Sequence, residues 1–292
     1  MSTHELGQYE FASARSLGEA TALLKSGAFP IAGCTDWMVE RHLAPIGDPG
    51  ARGKAVDITH IPELRGVSER AGVISIGAAE PLLTLRSDPV IASKCPLLAA
   101  MAAEVGALQI QARGTLGGNL VSGSPAADGV VALFALDAEV VLASHAGQRS
   151  VPITGFYTGY RASVRRPDEL VVRFCFKAPA AGSLQSWRKV GTRTAQSISK
   201  ASLAAVLETD DTGVIIRAGL GVGSVGPTVR ALENARGLLV GRRAAEVDSH
   251  ALGNAVEAGI APIDDLRSTA RYRRHVVRAL VGRLVEALAS KK

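Results

Sequence analysis

Two glycine-centred segments constrain this chain more than any other feature: Ala32-Gly33-Cys34-Thr35-Asp36, and Gly114-Thr115-Leu116-Gly117-Gly118-Asn119 further along. Glycine has no Cβ, so successive main-chain N–H groups can turn toward one concavity and a ligand oxygen can approach them. Each segment has the form of a phosphate cradle, and two cradles suit one diphosphate. Ser124-Pro125-Ala126-Ala127-Asp128 follows the second segment and brings a carboxylate within reach of a ribose hydroxyl if the loop folds back over the same ligand. The pattern predicts a dinucleotide site.

The surroundings of the first segment agree. Residues 29–32 read as a strand and residues 35–43 as an amphipathic helix capped by Thr35 or Asp36, so N–H groups and helix dipole both favour an anion there. Upstream, Ser16-Leu17-Gly18-Glu19 is a capping box opening a helix that stops at Gly27. A strand at 55–58 closes a small unit. Two short strands follow over 67–77, then one long helix over 81–105 with Leu97, Leu98, Met101 and Val105 at helical spacing. An apolar helix over 128–136 precedes strands at 139–143, 149–153 and 170–176.

Beyond the linker Pro179-Ala180-Ala181-Gly182 the pattern becomes strands, then helices. Strands at 198–207 and 214–220 flank Asp210-Asp211-Thr212-Gly213, a hairpin signal. Helices are expected at 231–240, 244–258 and 267–289. The class is α+β, with units at 1–58, 59–179 and 183–292. A chain of 292 residues, 47% hydrophobic and 21% charged, has ample material for several such cores.

Other chemistries find little support. Cys34, Cys95 and Cys175 are odd in number and widely spaced, which indicates neither a disulfide framework nor a metal knuckle. Cys34 is either a small residue in a glycine-like slot or a reactive thiol. The histidines, His4, His42, His60, His145, His250 and His275, show no ligand spacing, and no Gly-x-Ser-x-Gly elbow sits in the right context. A net charge of +6 comes with 4% aromatic residues and scattered arginines, so no nucleic acid is expected. No apolar run reaches membrane length and residues 1–5 lack a signal-peptide pattern, which places the chain in the cytoplasm with no membrane partner. Gly221-Val222-Gly223-Ser224-Val225-Gly226 fits the nicotinamide-site pattern, but the next strand and its acidic end are missing, so these glycines are expected to shape a tight connection.

The stretch 109–119 with 124–128 resembles the FAD-binding subunit of the molybdenum hydroxylases, the family of xanthine dehydrogenase and carbon monoxide dehydrogenase. The resemblance extends to Ala32–Asp36, to Phe156-Tyr157-Thr158-Gly159-Tyr160-Arg161, and to Trp187–Arg193 with Ala195–Lys200; the Ile-Ser-Lys stretch leans toward the xanthine dehydrogenase branch. It implies a two-subdomain FAD-binding domain of the PCMH type, followed by a smaller α+β domain like the carboxy-terminal domain of CO dehydrogenase flavoproteins. By position it implies that Ile31, Ala32, Gly33, Cys34, Thr35 and Asp36 wrap the diphosphate, and that Thr115, Gly117, Gly118 and Asn119 complete the grip. Asp128 would hold ribose or ribityl hydroxyls, while a plain helix cap is the alternative for that residue. Val105, Val171 and Lys189 would line the flavin, Lys189 as a cation near the ring edge. Tyr157 and Tyr160 either gate the flavin or pack the core. Cys34 departs from the glycine common in the family's first turn, which puts only the backbone angle there in question.

The resemblance further implies partners: an iron–sulfur subunit carrying [2Fe-2S] clusters and a large molybdopterin-binding subunit, assembled as a dimer of heterotrimers. Electrons would pass from the clusters through FAD to NAD or another acceptor. The other reading is an autonomous flavin enzyme, or a flavin-free assembly subunit, on the same fold.

Overall fold

Ser16 caps the first helix as the sequence predicts: its hydroxyl accepts the Glu19 N–H at 3.2 Å. Glu19 reaches back to the Arg15 N–H at 2.8 Å. The computed structural model describes residues 9–43, 53–194 and 196–290. Residues 1–5 (with His4) and Ala195, both used above, lie outside them.

The first unit comprises β1 (Tyr9–Ser13), α1 (Leu17–Lys25), β2 (Phe29–Ile31), α2 (Trp37–Leu43) and β3 (Gly53–Asp57). Its strands form a parallel sheet in the order β1-β3-β2. Next come β4 (Val67–Arg70), β5 (Val73–Gly77), α3 (Leu82–Ser87), α4 (Pro89–Lys94), α5 (Pro96–Glu104), α6 (Leu108–Arg113), α7 (Leu116–Val121) and α8 (Asp128–Ala135). Strands β6 (Glu139–Ser144), β7 (Gly147–Pro152), β8 (Tyr157–Gly159), β9 (Ala162–Ser163) and β10 (Leu170–Lys177) follow. A five-stranded antiparallel sheet runs β4-β5-β10-β6-β7.

The last unit has β11 (Leu184–Val190), β12 (Ala201–Thr209), β13 (Ile215–Gly223), β14 (Arg230–Ala231), α9 (Glu233–Leu239), α10 (Ser249–Ala258) and α11 (Ala270–Ala289). Its antiparallel sheet runs β11-β12-β13-β14. The Asp210 turn forms as expected: Asp210 Oδ1 accepts from the Thr212 and Val214 N–H groups, and Gly213 takes φ +81°.

The single helix expected over 81–105 is three helices. Pro89 and Pro96 each force the preceding residue out of the helical region, Asp88 to ψ 130° and Cys95 to ψ 56°, and each proline then opens a new helix. The helix expected over 244–258 also starts later: Ala244–Glu246 is a short 3₁₀ turn, and Asp248 caps α10.

α8 organises the middle of the molecule. All eight of its residues are buried, as an apolar helix covered on every side requires. One side joins the core beneath the five-stranded sheet, with Val140, Leu142 and Phe174, while Ala204 and Val206 of β12 belong to the same cluster. The opposite face of the four-stranded sheet carries a second core with α9, α10 and α11.

The close approach of α8 explains two of the glycines that mimic a nicotinamide motif, Gly221 and Gly223. Gly219, Gly221 and Gly223 alternate along β13 and so share one face. A Cβ at Gly219 would lie 1.9 Å from the Ala135 carbonyl oxygen, and one at Gly221 would lie 2.2 Å from that of Val131. Gly219, Gly221 and Gly223 form a bare strand face on which a helix backbone rests; of the motif's glycines, only Gly226 lies in the short connection expected, between β13 and β14.

Candidate functional site

β2 delivers the chain into the loop Ala32–Asp36, from which α2 departs. Ile58 donates its N–H to the Ile31 carbonyl at 3.0 Å, tying the loop to the end of β3. Among the described residues, the N–H groups of Gly33, Cys34, Thr35 and Asp36 have no protein acceptor. Cys34 holds the left-handed backbone, φ +60°, the conformation a glycine adopts freely and other residues adopt at a cost of about 1–2 kcal/mol. The angle in question at this position is therefore the glycine-like one. Its thiol points to the Ala32 carbonyl at 3.3 Å, and burial pushes its pKa up, which fits a small filler better than a reactive thiolate.

Gly33 is needed for close approach rather than for positive φ. A Cβ there would lie 1.9 Å from the Arg113 carbonyl oxygen and 3.0 Å from Gly114 Cα. The two glycine segments thus pack directly against each other, backbone to backbone.

The second segment is not the turn expected. Thr115 caps α7, its hydroxyl accepting the Gly118 N–H at 3.0 Å. The Gly117 N–H goes to the Ala78 carbonyl at 2.8 Å and that of Asn119 to Thr115 at 3.0 Å. Gly117 and Gly118 have ordinary negative φ, and their N–H groups are already used. What their lack of side chains provides is space. A Cβ on Gly117 would lie 2.6 Å from the Ala78 oxygen.

Between the two segments lies a cavity of about 420 Å³, within the range of small-molecule sites. Ile31, Ala32, Gly33, Cys34, Thr35, Asp36, Val105, Thr115, Gly117, Gly118, Asn119 and Val171 all line it. Sequence reasoning missed Trp37, Ile110, Arg165, Glu169 and Leu170 on the same walls. Trp37 also packs edge-on against Tyr9, with ring centroids 5.2 Å apart. Tyr157 hydrogen-bonds the Leu120 carbonyl at 2.7 Å and stacks edge-on with Phe156, so it packs the core, whereas Tyr160 is exposed.

Asp128 and Lys189 do not line the cavity; they pair with each other. Lys189 Nζ lies 2.5 Å from Asp128 Oδ2 and 3.1 Å from the Glu104 carbonyl. β11 sets this up by alternation, since Trp187 and Lys189 share a face and Trp187 Nε1 donates to Glu104 Oε2 at 3.0 Å. The pair sits one residue behind two wall positions: Glu104 precedes Val105, and Gly129, beside Asp128, abuts the Asn119 amide, which a Cβ there would meet at 2.7 Å. Burial raises the Asp128 carboxyl to about 6, against the opposing pull of Lys189.

A carboxyl whose folded pKa exceeds its unfolded value of about 3.9 binds its proton more tightly when folded, so stability falls as pH rises between the two values. In Lys189→Met the opposing cation is gone and that loss deepens. We expect this variant to lose about 3–5 kcal/mol at pH 8 and distinctly less at pH 4.5, measured by chemical denaturation. Equal losses at both pH values would contradict the pairing.

A two-part α+β fold with a cleft between a strand–loop–helix and a capped glycine helix defines the class. The family model described as "FAD binding domain in molybdopterin dehydrogenase" matches residues 7–176, and that of the "CO dehydrogenase flavoprotein C-terminal domain" matches residues 186–288. The chain belongs to the FAD-binding medium subunits of the molybdenum hydroxylase family, of the carbon monoxide dehydrogenase and xanthine dehydrogenase type. It is 30% identical to the carbon monoxide dehydrogenase medium chain of Hydrogenophaga pseudoflava, over 96% of both chains. It is 29% identical to a putative xanthine dehydrogenase FAD-binding subunit of Escherichia coli, over 97% of this chain and 98% of that one. These identities do not separate the two branches. The solved carbon monoxide dehydrogenase of Hydrogenophaga pseudoflava superposes with a TM-score of 0.89 at 30% identity, covering 96% of this chain and 97% of that one.

FAD, the family's cofactor, fits what this cavity offers. The first loop presents unpaired N–H donors, the second segment leaves its wall bare, and a buried oxygen of a wall residue, Asn119 Oδ1, lacks a hydrogen-bond donor, as does Asp128 Oδ1 behind that wall. Orphaned buried acceptors cost free energy unless a donor reaches them. Among the described residues, no helix is long and apolar enough to cross a membrane.

Proposed function

We propose that this chain is the electron-transfer subunit of a molybdenum-containing hydroxylase or dehydrogenase, with FAD laid along the cavity between its two glycine segments. The observation that carries this is the direct packing of Gly33 on Arg113 and Gly114, which makes both segments walls of one cleft. The free N–H groups of Gly33–Asp36 are the donors for the diphosphate. Gly117 and Gly118 allow the ligand to lie against α7, and Thr115 and Asn119 flank it. Val105 and Val171 offer apolar contact for the ring. Asn119 Oδ1 is an acceptor for the ligand's hydroxyl or N–H groups, and the Asp128–Lys189 pair, one residue behind the wall, holds the backbone of that wall in place.

When bound, FAD supplies the exchange between single electrons and electron pairs. The chain's own part is to hold and bias it. Substrate oxidation is assigned to a large molybdopterin-binding partner and cluster transfer to an iron–sulfur partner, with NAD or another acceptor taking the electrons, in a cytoplasmic dimer of heterotrimers. The division into units at 1–58, 59–179 and 183–292 belongs to the same reading. Names such as "medium chain" among the relatives support a multisubunit setting.

Affinity isolation of the chain from its own cells, with native mass spectrometry and cofactor extraction, tests this. FAD on this chain, with iron and molybdopterin on co-isolated chains, is the expected result. A solitary flavoprotein that oxidises substrate unaided would favour the autonomous reading. Gly118→Val is expected to block flavin uptake: its Cβ would crowd the Thr115 hydroxyl at 3.0 Å, and its methyls would occupy the cavity. Normal flavin content in the folded variant would contradict that role.

A further inference from the structure

Four charged residues line the cavity: Asp36, Glu40, Arg165 and Glu169. Glu40 pairs with Arg161 at 2.9 Å. Glu169, buried, accepts from Arg149 Nε at 2.6 Å and pairs with Arg166 at 2.9 Å. Arg165 is the one cation among the described lining residues, and it makes no ion pair with any of them. Its Nη1 donates only to the carbonyl oxygens of Glu169, at 2.6 Å, and Arg166, at 3.2 Å.

The turn that presents Arg165 is firmly built. Arg149 Nη2 donates to the Val164 carbonyl and to Glu169 Oε2, both at 2.8 Å, and the Arg166 N–H donates to the same Glu169 oxygen at 2.7 Å. One buried carboxylate and one arginine therefore clamp both ends of the segment around Arg165. Glu169 is held at about 2, chiefly by its hydrogen bond from Arg149, so the clamp stays charged across the physiological range. Leu170, next along, shares a core with Ile58 and Ala32 beneath the first glycine loop. The turn and the loop with its free N–H donors are thus neighbouring walls.

Burial opposes the charge of this guanidinium, and Glu169 and Asp168 attract it from a distance, but neither pairs with it directly; a guanidinium partly withdrawn from water and fixed only by carbonyls gains when an anion meets it. Asp36 sharpens the point, because a phosphate entering beside that carboxylate needs a cation on a neighbouring wall. We propose that Arg165 is a phosphate-recognising residue of this cavity, its free guanidinium edge meeting the diphosphate of the dinucleotide that the Gly33–Asp36 loop holds. Arg149 and Glu169 are positioning residues for it. The assignment rests on the FAD reading above.

The full chain, stripped of flavin, is titrated with FAD and with riboflavin, which lacks phosphate. Wild type, Arg165→Met and Arg165→Lys are compared at low and high salt. Arg165→Met is expected to weaken FAD by about tenfold or more at low salt and to flatten its salt dependence, while leaving riboflavin unchanged. Arg165→Lys recovers part of the loss. Unchanged FAD affinity in Arg165→Met, or equal losses for FAD and riboflavin, would overturn the assignment, the second by showing a merely structural role. Wild type that fails to bind FAD overturns this and the FAD reading together; wild type that binds with an indifferent Arg165→Met overturns this alone.

Discussion

Gly33→Ala is expected to abolish flavin uptake, although it adds a single methyl group. The new carbon would lie 1.9 Å from the Arg113 carbonyl oxygen, far inside van der Waals contact, and both partners are main chain, so no rotamer change relieves the clash. The first loop must withdraw from the second segment, which opens the cleft and scatters the N–H donors of residues 33–36. Overpacking of this kind costs about 1–3 kcal/mol and occasionally more, but the larger effect is on binding, because the two segments supply adjoining walls of the cavity. Flavin absorbance per mole of purified variant, with circular dichroism to confirm folding, reads the outcome. A folded Gly33→Ala protein with wild-type flavin content would remove the basis for treating the two segments as one site.

The second large effect lies away from the cavity. Gly219→Ala would put a Cβ 1.9 Å from the Ala135 carbonyl oxygen, where β13 supports a helix that is buried on every side. α8 cannot retreat without opening the core it shares with the five-stranded sheet, and β13 cannot retreat without disturbing the core behind it. We expect a loss of about 3 kcal/mol or more, seen as a fall of several degrees in melting temperature. Gly18→Ala serves as the control: nothing lies within 4 Å of a Cβ there, and in a helix the change is expected to be neutral or slightly stabilising. If Gly219→Ala melts like Gly18→Ala, the tight packing of helix on strand is wrong.

Local chemistry was legible wherever it decided the structure. The Ser16 cap and the Asp210 turn are satisfied by groups within four residues of their anchors, so short-range sequence carries their full description. The first glycine loop was legible for the same reason, flanked by a strand and a helix that fix its direction. The three-way break of the 81–105 region was also written in the chain, at Asp88-Pro89 and Cys95-Pro96, but apolar periodicity masked it.

The rest depended on distant partners. Gly117 and Gly118 look like a turn because glycine lowers helix propensity, yet the Thr115 cap and the Ala78 carbonyl, from the end of another strand, hold them in α7. Nothing local distinguishes a carboxylate awaiting a ligand from one held by a lysine on β11, so the pairing of Asp128 with Lys189 emerges only from sheet register. The alternating glycines of β13 mimic a nucleotide motif because close approach to a helix and close approach to a phosphate demand the same missing Cβ. Arg165 stands beside Arg166 in sequence, and only the burial of Glu169 shows which of the two is left facing the cavity.

A crystal structure of the full chain with FAD tests the central claim most directly. The account predicts the diphosphate between the two glycine segments, within hydrogen-bond distance of main-chain N–H groups of residues 33–36. FAD bound at another surface, or a diphosphate held elsewhere with that loop untouched, would contradict it.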